Sequence, residues 1–291
     1  MSHLTENHKI PPIFTINMSN TELVFFGKPG SFSHIVAEQI AGDSKLVSRD
    51  TVREVFDYVK KNKARRGIVP IENSSGGMIE QTVDNLVNDS GLVIEEEYAI
   101  NVKLALLGKE GRPIKKIYSH FAPFHHCQKW LKNHYPEAVQ SIVDSTSAAA
   151  QNAAREDFAA AIGPISAAAK YQLDALHYPI GDSEENLTQF FLLGHGRTKP
   201  KNPQQTSLSV VLKNKVGSLC SFLTPFAAEK INLKRIMSQP IMGQPNNYIF
   251  FVGVEAPIDD EAMQKAMEAV RPFCKEIRVL GSYPVHPPFE S

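Results

Sequence analysis

The chain has 291 residues, 42% hydrophobic and 21% charged, with 31 basic and 31 acidic side chains and a formal net charge of zero. A chain of this size buries a sizeable core and has room for two domains. Its basic clusters, Lys60-Lys61 and Lys63 to Arg66, are too short to form the footprint of a nucleic-acid-binding protein. Residues 1–20 mix His3, His8, Pro11 and Pro12 without a long apolar stretch. They read as a loose tail, with neither a signal peptide nor a membrane span. Cys127, Cys220 and Cys274 lie far apart with no C-x-x-C pair. That pattern points to reduced, packed thiols and a cytoplasmic setting.

From Leu23 to Leu193 short apolar runs alternate with helical patterns. Strands are expected over 23–26, 67–70, 102–107, 117–119, 141–143, 159–162 and 190–193, an α/β arrangement of largely parallel sheets covered by helices. Helices are expected where Val52, Val55, Phe56 and Val59 recur, and in the Ala-rich segments after Ser145 and after Pro164. Gly194 to Pro203 is polar, rich in Gly and Pro, and without periodicity. It divides a first domain, 21–195, from a second, 206–285, through a linker at 196–205. The second domain reads strand 207–213, helix 217–230, strand 233–241, strand 247–255, helix 259–273, strand 276–281, the βαββαβ plan of a ferredoxin-like domain. Met263, Ala266, Met267, Val270 and Phe273 give its second helix an apolar face for the sheet.

The segment Ile68-Val-Pro-Ile-Glu-Asn-Ser-Ser-Gly-Gly77 ends an apolar run in a carboxylate, an amide, two hydroxyls and two glycines. Met78, Ile79, Val83 and Leu86 then recur at helical spacing, so these polar groups sit where a strand meets a helix, a usual ligand position in open α/β sheets. Glu72 and Asn73 can orient a hydroxylated, charged substrate; equally, Asn73 or Ser74 can cap the following helix. Gly27 to Ser33 likewise precedes a helix, where free N–H groups hold a carboxylate or Ser31 or Ser33 acts as cap. Asp144-Ser145-Thr146-Ser147 is a good helix start by capping chemistry alone. The adjacent His125, His126 and Cys127 point in different directions on a helix and cannot share one metal ion.

Five segments in order resemble prephenate dehydratases: Gly30-Ser31-Phe32-Ser33-His34, Val69 to Ser74, Ser145 to Ala149, Asn186-Leu187-Thr188-Gln189-Phe190, and the regulatory-domain-like stretch Gly217 to Pro240. The resemblance covers about residues 22–284. It implies two α/β lobes arranged like a periplasmic binding protein, with the site between them, followed by an ACT domain that senses amino acids. It implies Thr188 as catalytic residue, with Glu72 and Asn73. Ser31, Phe32, Ser33, Ser74, Ser119, His126, Thr146, Ser147, Gln189 and Phe190 would hold the substrate. Gly217, Ser218, Leu219, Asn232, Leu233, Ser238, Gln239 and Pro240 would hold an effector. No cofactor or metal is implied, and pairing into a homodimer or homotetramer is.

The chain departs from the family pattern. The usual Thr-Arg-Phe is Thr188-Gln189-Phe190, Phe121, Ala122 and His126 replace Pro, Gln and Gln, and Glu-Ser-Arg-Pro becomes Met237-Ser238-Gln239-Pro240. Losing an arginine–carboxylate contact costs about 1.5 to 3 kcal/mol. Gln189 therefore keeps open a prephenate decarboxylase that does not aromatise the ring. A non-catalytic sensor of prephenate or an aromatic amino acid is a third reading.

Overall fold

The computed structural model describes residues 21–88, 91–182, 186–196, 200–244 and 247–290; the expected tail at 1–20 and part of the linker lie outside them. A first lobe begins with β1 (Glu22–Phe26), α1 (Phe32–Ile40), β2 (Lys45–Arg49), α2 (Val52–Lys60), β3 (Arg65–Asn73), the short β4 (Gly77–Met78), α3 (Glu80–Asn88) and β5 (Val93–Asn101). The chain then crosses to a second lobe of β6 (Leu104–Gly108), β7 (Lys116–Ser119), α4 (Phe121–His126), α5 (Gln128–His134), β8 (Val139–Ile142), α6 (Thr146–Arg155), β9 (Ala159–Pro164), α7 (Ser166–Tyr171) and β10 (Asp174–Ile180). It returns to the first lobe as β11 (Leu187–Gly194).

Local chemistry sets these elements. Ser31, Thr51 and Ser145 cap α1, α2 and α6, and Thr51 forms a full capping box with Glu54. In α2 the side chains of Val52, Val55, Phe56 and Val59 are buried against β3. A Cβ on Gly67 would stand 2.9 Å from methyls of both Val55 and Val59, so glycine is what lets helix and strand approach this closely.

The sheets are more mixed than the apolar runs imply. The first has the order β5-β11-β3-β1-β2, and the second β10-β6-β9-β7-β8. Pairs around β1 and β7 are parallel, but β11 runs antiparallel to both β3 and β5, and β6 antiparallel to β9 and β10. The cause is the double crossing between lobes, which brings β11 back against its neighbours. Strand β5 escapes sequence reading because Glu95-Glu96-Glu97 interrupts it. Each carboxylate has its own partner: Glu95 meets Arg66, Glu96 accepts from Tyr98 Oη at 2.6 Å, and Glu97 meets Arg235.

The second domain follows the expected βαββαβ plan with β12 (Gln205–Leu212), α8 (Ser218–Ala228), β13 (Leu233–Pro240), β14 (Tyr248–Val254), α9 (Glu261–Val270) and β15 (Cys274–Tyr283), in sheet order β13-β14-β12-β15. Met263, Ala266, Met267 and Val270 are buried, while Phe273 is only partly so. The other face of this sheet docks on the first lobe. Phe251, Leu280 and Tyr283 join Phe191, Ile94 and Val69 in one core, and Gly281 abuts Ile94 where a side chain would collide. The chain then returns along β5: Pro284 O accepts from Glu97 N at 3.0 Å, His286 stacks on Tyr98 at 4.5 Å, and β16 (Phe289–Glu290) adds a parallel strand. Cys127 and Cys274 are buried free thiols, as packing residues should be, whereas Cys220 is exposed.

Candidate active site

Between the lobes lies a cleft of about 700 Å³. The first lobe lines it with Phe26, Ser31, Phe32, Ser33, Asn73 and Met78, and the second with Val102, His120, Phe121, Asp144 and Thr146. Thr188 and Phe190 of the returning strand complete the wall. Side chains bridge the lobes at the rim. Ser75 Oγ and His126 Nδ1 are 2.9 Å apart, and Lys170 of α7 donates to the carbonyl of Pro29.

Asn73 organises the interior. Its Oδ1 accepts from the backbone N–H groups of Ser75 and Gly76, both at 2.9 Å, so it folds its own loop and does not cap a helix; α3 begins only at Glu80. Its Nδ2 donates to Asn186 Oδ1 at 3.0 Å and to Thr188 Oγ1 at 2.8 Å. Thr188 thus already accepts a hydrogen bond. Among the described residues nothing takes its hydroxyl proton, which leaves one polarised donor for a group in the cleft. Asn186, 4% exposed, is the partner that motif reading passed over, although it opens the quoted segment.

The expected site residues separate into two sets. Ser31, Phe32, Ser33, Asn73, Thr146, Thr188 and Phe190 converge on the cleft. The others are engaged elsewhere. Glu72 takes Arg235 Nε at 2.7 Å and Gln189 donates to Glu97 at 3.0 Å, both towards the second domain. Strand alternation explains this, because Glu72 and Gln189 each neighbour a cleft-facing residue and so point the opposite way. Ser74 Oγ accepts from Leu187 N at 3.0 Å, and Ser119 Oγ donates to Ile162 O at 3.3 Å. Ser147 Oγ is buried without a hydrogen-bond partner among the described residues, behind Thr146. His126 reaches Ser75 and not the cavity.

The expected effector residues also divide. Gly217, at φ 79° before α8, lies with Ser218 and Leu219 at the sheet end that carries Ser238, Gln239 and Pro240, since Val211 and Gln239 both pair with Ile249. Asn232, bonded to Glu255 at 2.8 Å, and Leu233 lie at the opposite end.

The cleft suits an anion. The helices α1 and α6, from opposite lobes, begin at Ser31 and Ser145 on its walls, and their first-turn N–H groups and dipoles favour negative charge there. Among its described lining residues none is Lys or Arg. Burial depresses the His120 pKa, against a smaller opposing pull from Asp144, so this imidazole is neutral and free to accept from Ala122 N. The arrangement can bind carboxylates at helix ends, present one hydroxyl to a leaving group and enclose an apolar ring between Phe26, Phe32 and Phe190.

Comparison with known proteins agrees with this geometry. The family model described as prephenate dehydratase matches residues 23–198. The bifunctional chorismate mutase/prephenate dehydratase of Aquifex aeolicus is 31% identical over 266 residues, covering 90% of this chain and 73% of that one. The prephenate dehydratase of Lactococcus lactis is 30% identical over 274 residues, covering 91% and 98%. The crystal structure of prephenate dehydratase from Arthrobacter aurescens, in complex with L-Phe, superposes with a TM-score of 0.82 at 28% identity, covering 91% and 90%. This chain belongs to the prephenate dehydratase family.

Proposed function

We propose that the protein converts prephenate to phenylpyruvate, with loss of water and CO₂, in the interlobe cleft. The observation that carries the reading is the 2.8 Å hydrogen bond from Asn73 to Thr188 in a cleft flanked by two helix N-termini. The substrate's two carboxylates lie on the N–H groups of α1 and α6. As the C–CO₂⁻ bond breaks, its electron pair enters the ring. The C–O bond of the ring hydroxyl breaks in turn, and the departing oxygen takes up one proton from solvent and leaves as water. Thr188 donates to that oxygen as charge develops, and Asn73 holds Thr188 in place. A bare hydroxyl is a poor acid, so this contribution is positional and electrostatic.

Gln189 gave the non-aromatising decarboxylase its main support. Its amide lies against Glu97 on the far face of β11, so it does not change the donors presented to the substrate. Incubation with prephenate, followed by the ultraviolet absorbance of phenylpyruvate in base and mass analysis of the product, tests the assignment. An aromatic keto acid is expected; CO₂ release with a non-aromatic product would replace it with the decarboxylase, and no turnover with the sensor.

The second domain is an ACT-type regulatory unit that pairs with another copy in a homodimer or homotetramer, and residues 21–195 form the catalytic unit. Three free thiols fit a cytoplasmic setting, and no helix among the described residues is long and apolar enough to cross a membrane.

A further inference from the structure

Behind the catalytic wall lies a buried charge cluster that the reaction does not touch. Arg235, on β13 of the second domain, has a fully buried side chain. It donates through Nε to Glu72 at 2.7 Å and through Nη1 and Nη2 to the two oxygens of Glu97, both at 2.9 Å. Glu97 is itself fully buried and also takes Lys234 Nζ at 3.2 Å and Gln189 Nε2 at 3.0 Å. Two carboxylates thus meet two cations, and every Arg235 nitrogen is used.

The position of this cluster matters more than its strength. Glu72 directly precedes Asn73, and Gln189 directly follows Thr188. Between β11 and β3, Phe190 pairs with Pro70 but Gln189 pairs with Glu72, so an extra residue is accommodated at this point and the register shifts. Only beyond that shift does Thr188 stand opposite Asn73. A strand irregularity of this kind re-aims side chains, and one residue of slip would send the amide to the wrong face. The guanidinium clamps Glu72 on one strand and, through Glu97, Gln189 on the other, the facing pair that lies between the irregularity and Asn73–Thr188.

We propose that Arg235 is a positioning residue for the reaction, a guanidinium from the second domain that fixes the register bringing Asn73 to Thr188. The proposal rests on the dehydratase reading, and it makes the second domain part of the catalytic scaffold. Lysine could not replace it fully, because one ammonium cannot hold Glu72 and both Glu97 oxygens in a planar fork.

The test uses the full-length protein. Removing Arg235 alone strands a buried carboxylate, so the Arg235→Met/Glu97→Met double variant is compared with wild type, Arg235→Lys and Asn73→Ala. In the double variant kcat is expected to fall about tenfold or more with KM nearly unchanged, as misplacement of a reacting group does. Amide hydrogen exchange at 73–75 and 187–189 should accelerate in the unliganded protein. Arg235→Lys should lie between, and in the Asn73→Ala background the double substitution should lower kcat no further. Wild-type kcat and exchange in the double variant, or in Arg235→Lys if the double variant does not fold, overturn the proposal, as does an equal loss in both backgrounds. If wild type makes no phenylpyruvate the dehydratase reading fails, while the exchange comparison still decides whether Arg235 sets the loop.

Discussion

At the scale of single residues, Thr188 and Gln189 are neighbours with opposite duties. Thr188→Ala removes the one hydroxyl that Asn73 presents to the cleft. Turnover of prephenate should fall by at least about a hundredfold with little change in melting temperature, since one hydrogen-bond donor aimed at developing charge commonly contributes that much. Gln189→Arg, which restores the family residue, is expected from sequence to raise affinity for the dianionic substrate; the structure reverses that expectation. A new guanidinium beside Glu97 would join Arg235 and Lys234 in a cluster whose two cations already balance two carboxylates. An uncompensated buried charge costs about 3 to 5 kcal/mol, so a lower melting temperature and lower activity should appear together. The motif letters identified Thr188 and Asn73, because those side chains face the cleft on their own strands. They could not show that Glu72 and Gln189 face away, since β11 pairs with β3 across more than a hundred residues of chain.

At the scale of elements, the helices were legible through their caps and periodicity: Ser31, Thr51 and Ser145 start helices, and the Val52 to Val59 stripe is buried. Strand β5 was not, because its carboxylates find their partners on β3, β13 and the returning segment at His286. Three histidines tie elements together around the cleft. His34 Nδ1 in α1 accepts from Gly30 N at 3.1 Å, His120 caps α4, and His126 ends α4 on Ser75. Burial lowers the pKa of each, outweighing the nearby carboxylates Glu38, Asp144 and Asp182. The unfolded chain therefore binds protons more readily at and below the ordinary histidine value of about 6.5. Stability contributed by these groups is present above that pH and is lost as the pH falls through their depressed folded values. Melting temperature should drop from pH 7.5 towards 5.5, about one unit either side of that value, and His126→Gln should make the drop shallower. An identical slope in wild type and variant would remove His126 from the account.

At the scale of the whole molecule, the two-domain order and the βαββαβ plan follow from periodicity, but the docking of one domain on the other does not. It depends on Phe251, Leu280 and Tyr283 meeting Phe191, contacts that no local pattern encodes. The effector region should respond weakly to phenylalanine. Met237 and Gln239 stand where the family carries Glu and Arg, and each charged hydrogen bond lost to a zwitterion costs about 1.5 to 3 kcal/mol, enough to move a micromolar site towards millimolar. Calorimetry with phenylalanine checks this, and micromolar binding with clear inhibition would show that backbone groups suffice.

The returning segment that runs from Pro284 to β16 makes the second domain a loop of the first, tied to the same sheet on its way out after β11 and on its way home beside β5. Moored at two points and packed along one face, that domain is not free to turn by itself. A rearrangement there meets the first lobe at β5, which carries Glu97, and at the face where Phe251, Leu280 and Tyr283 pack on Phe191.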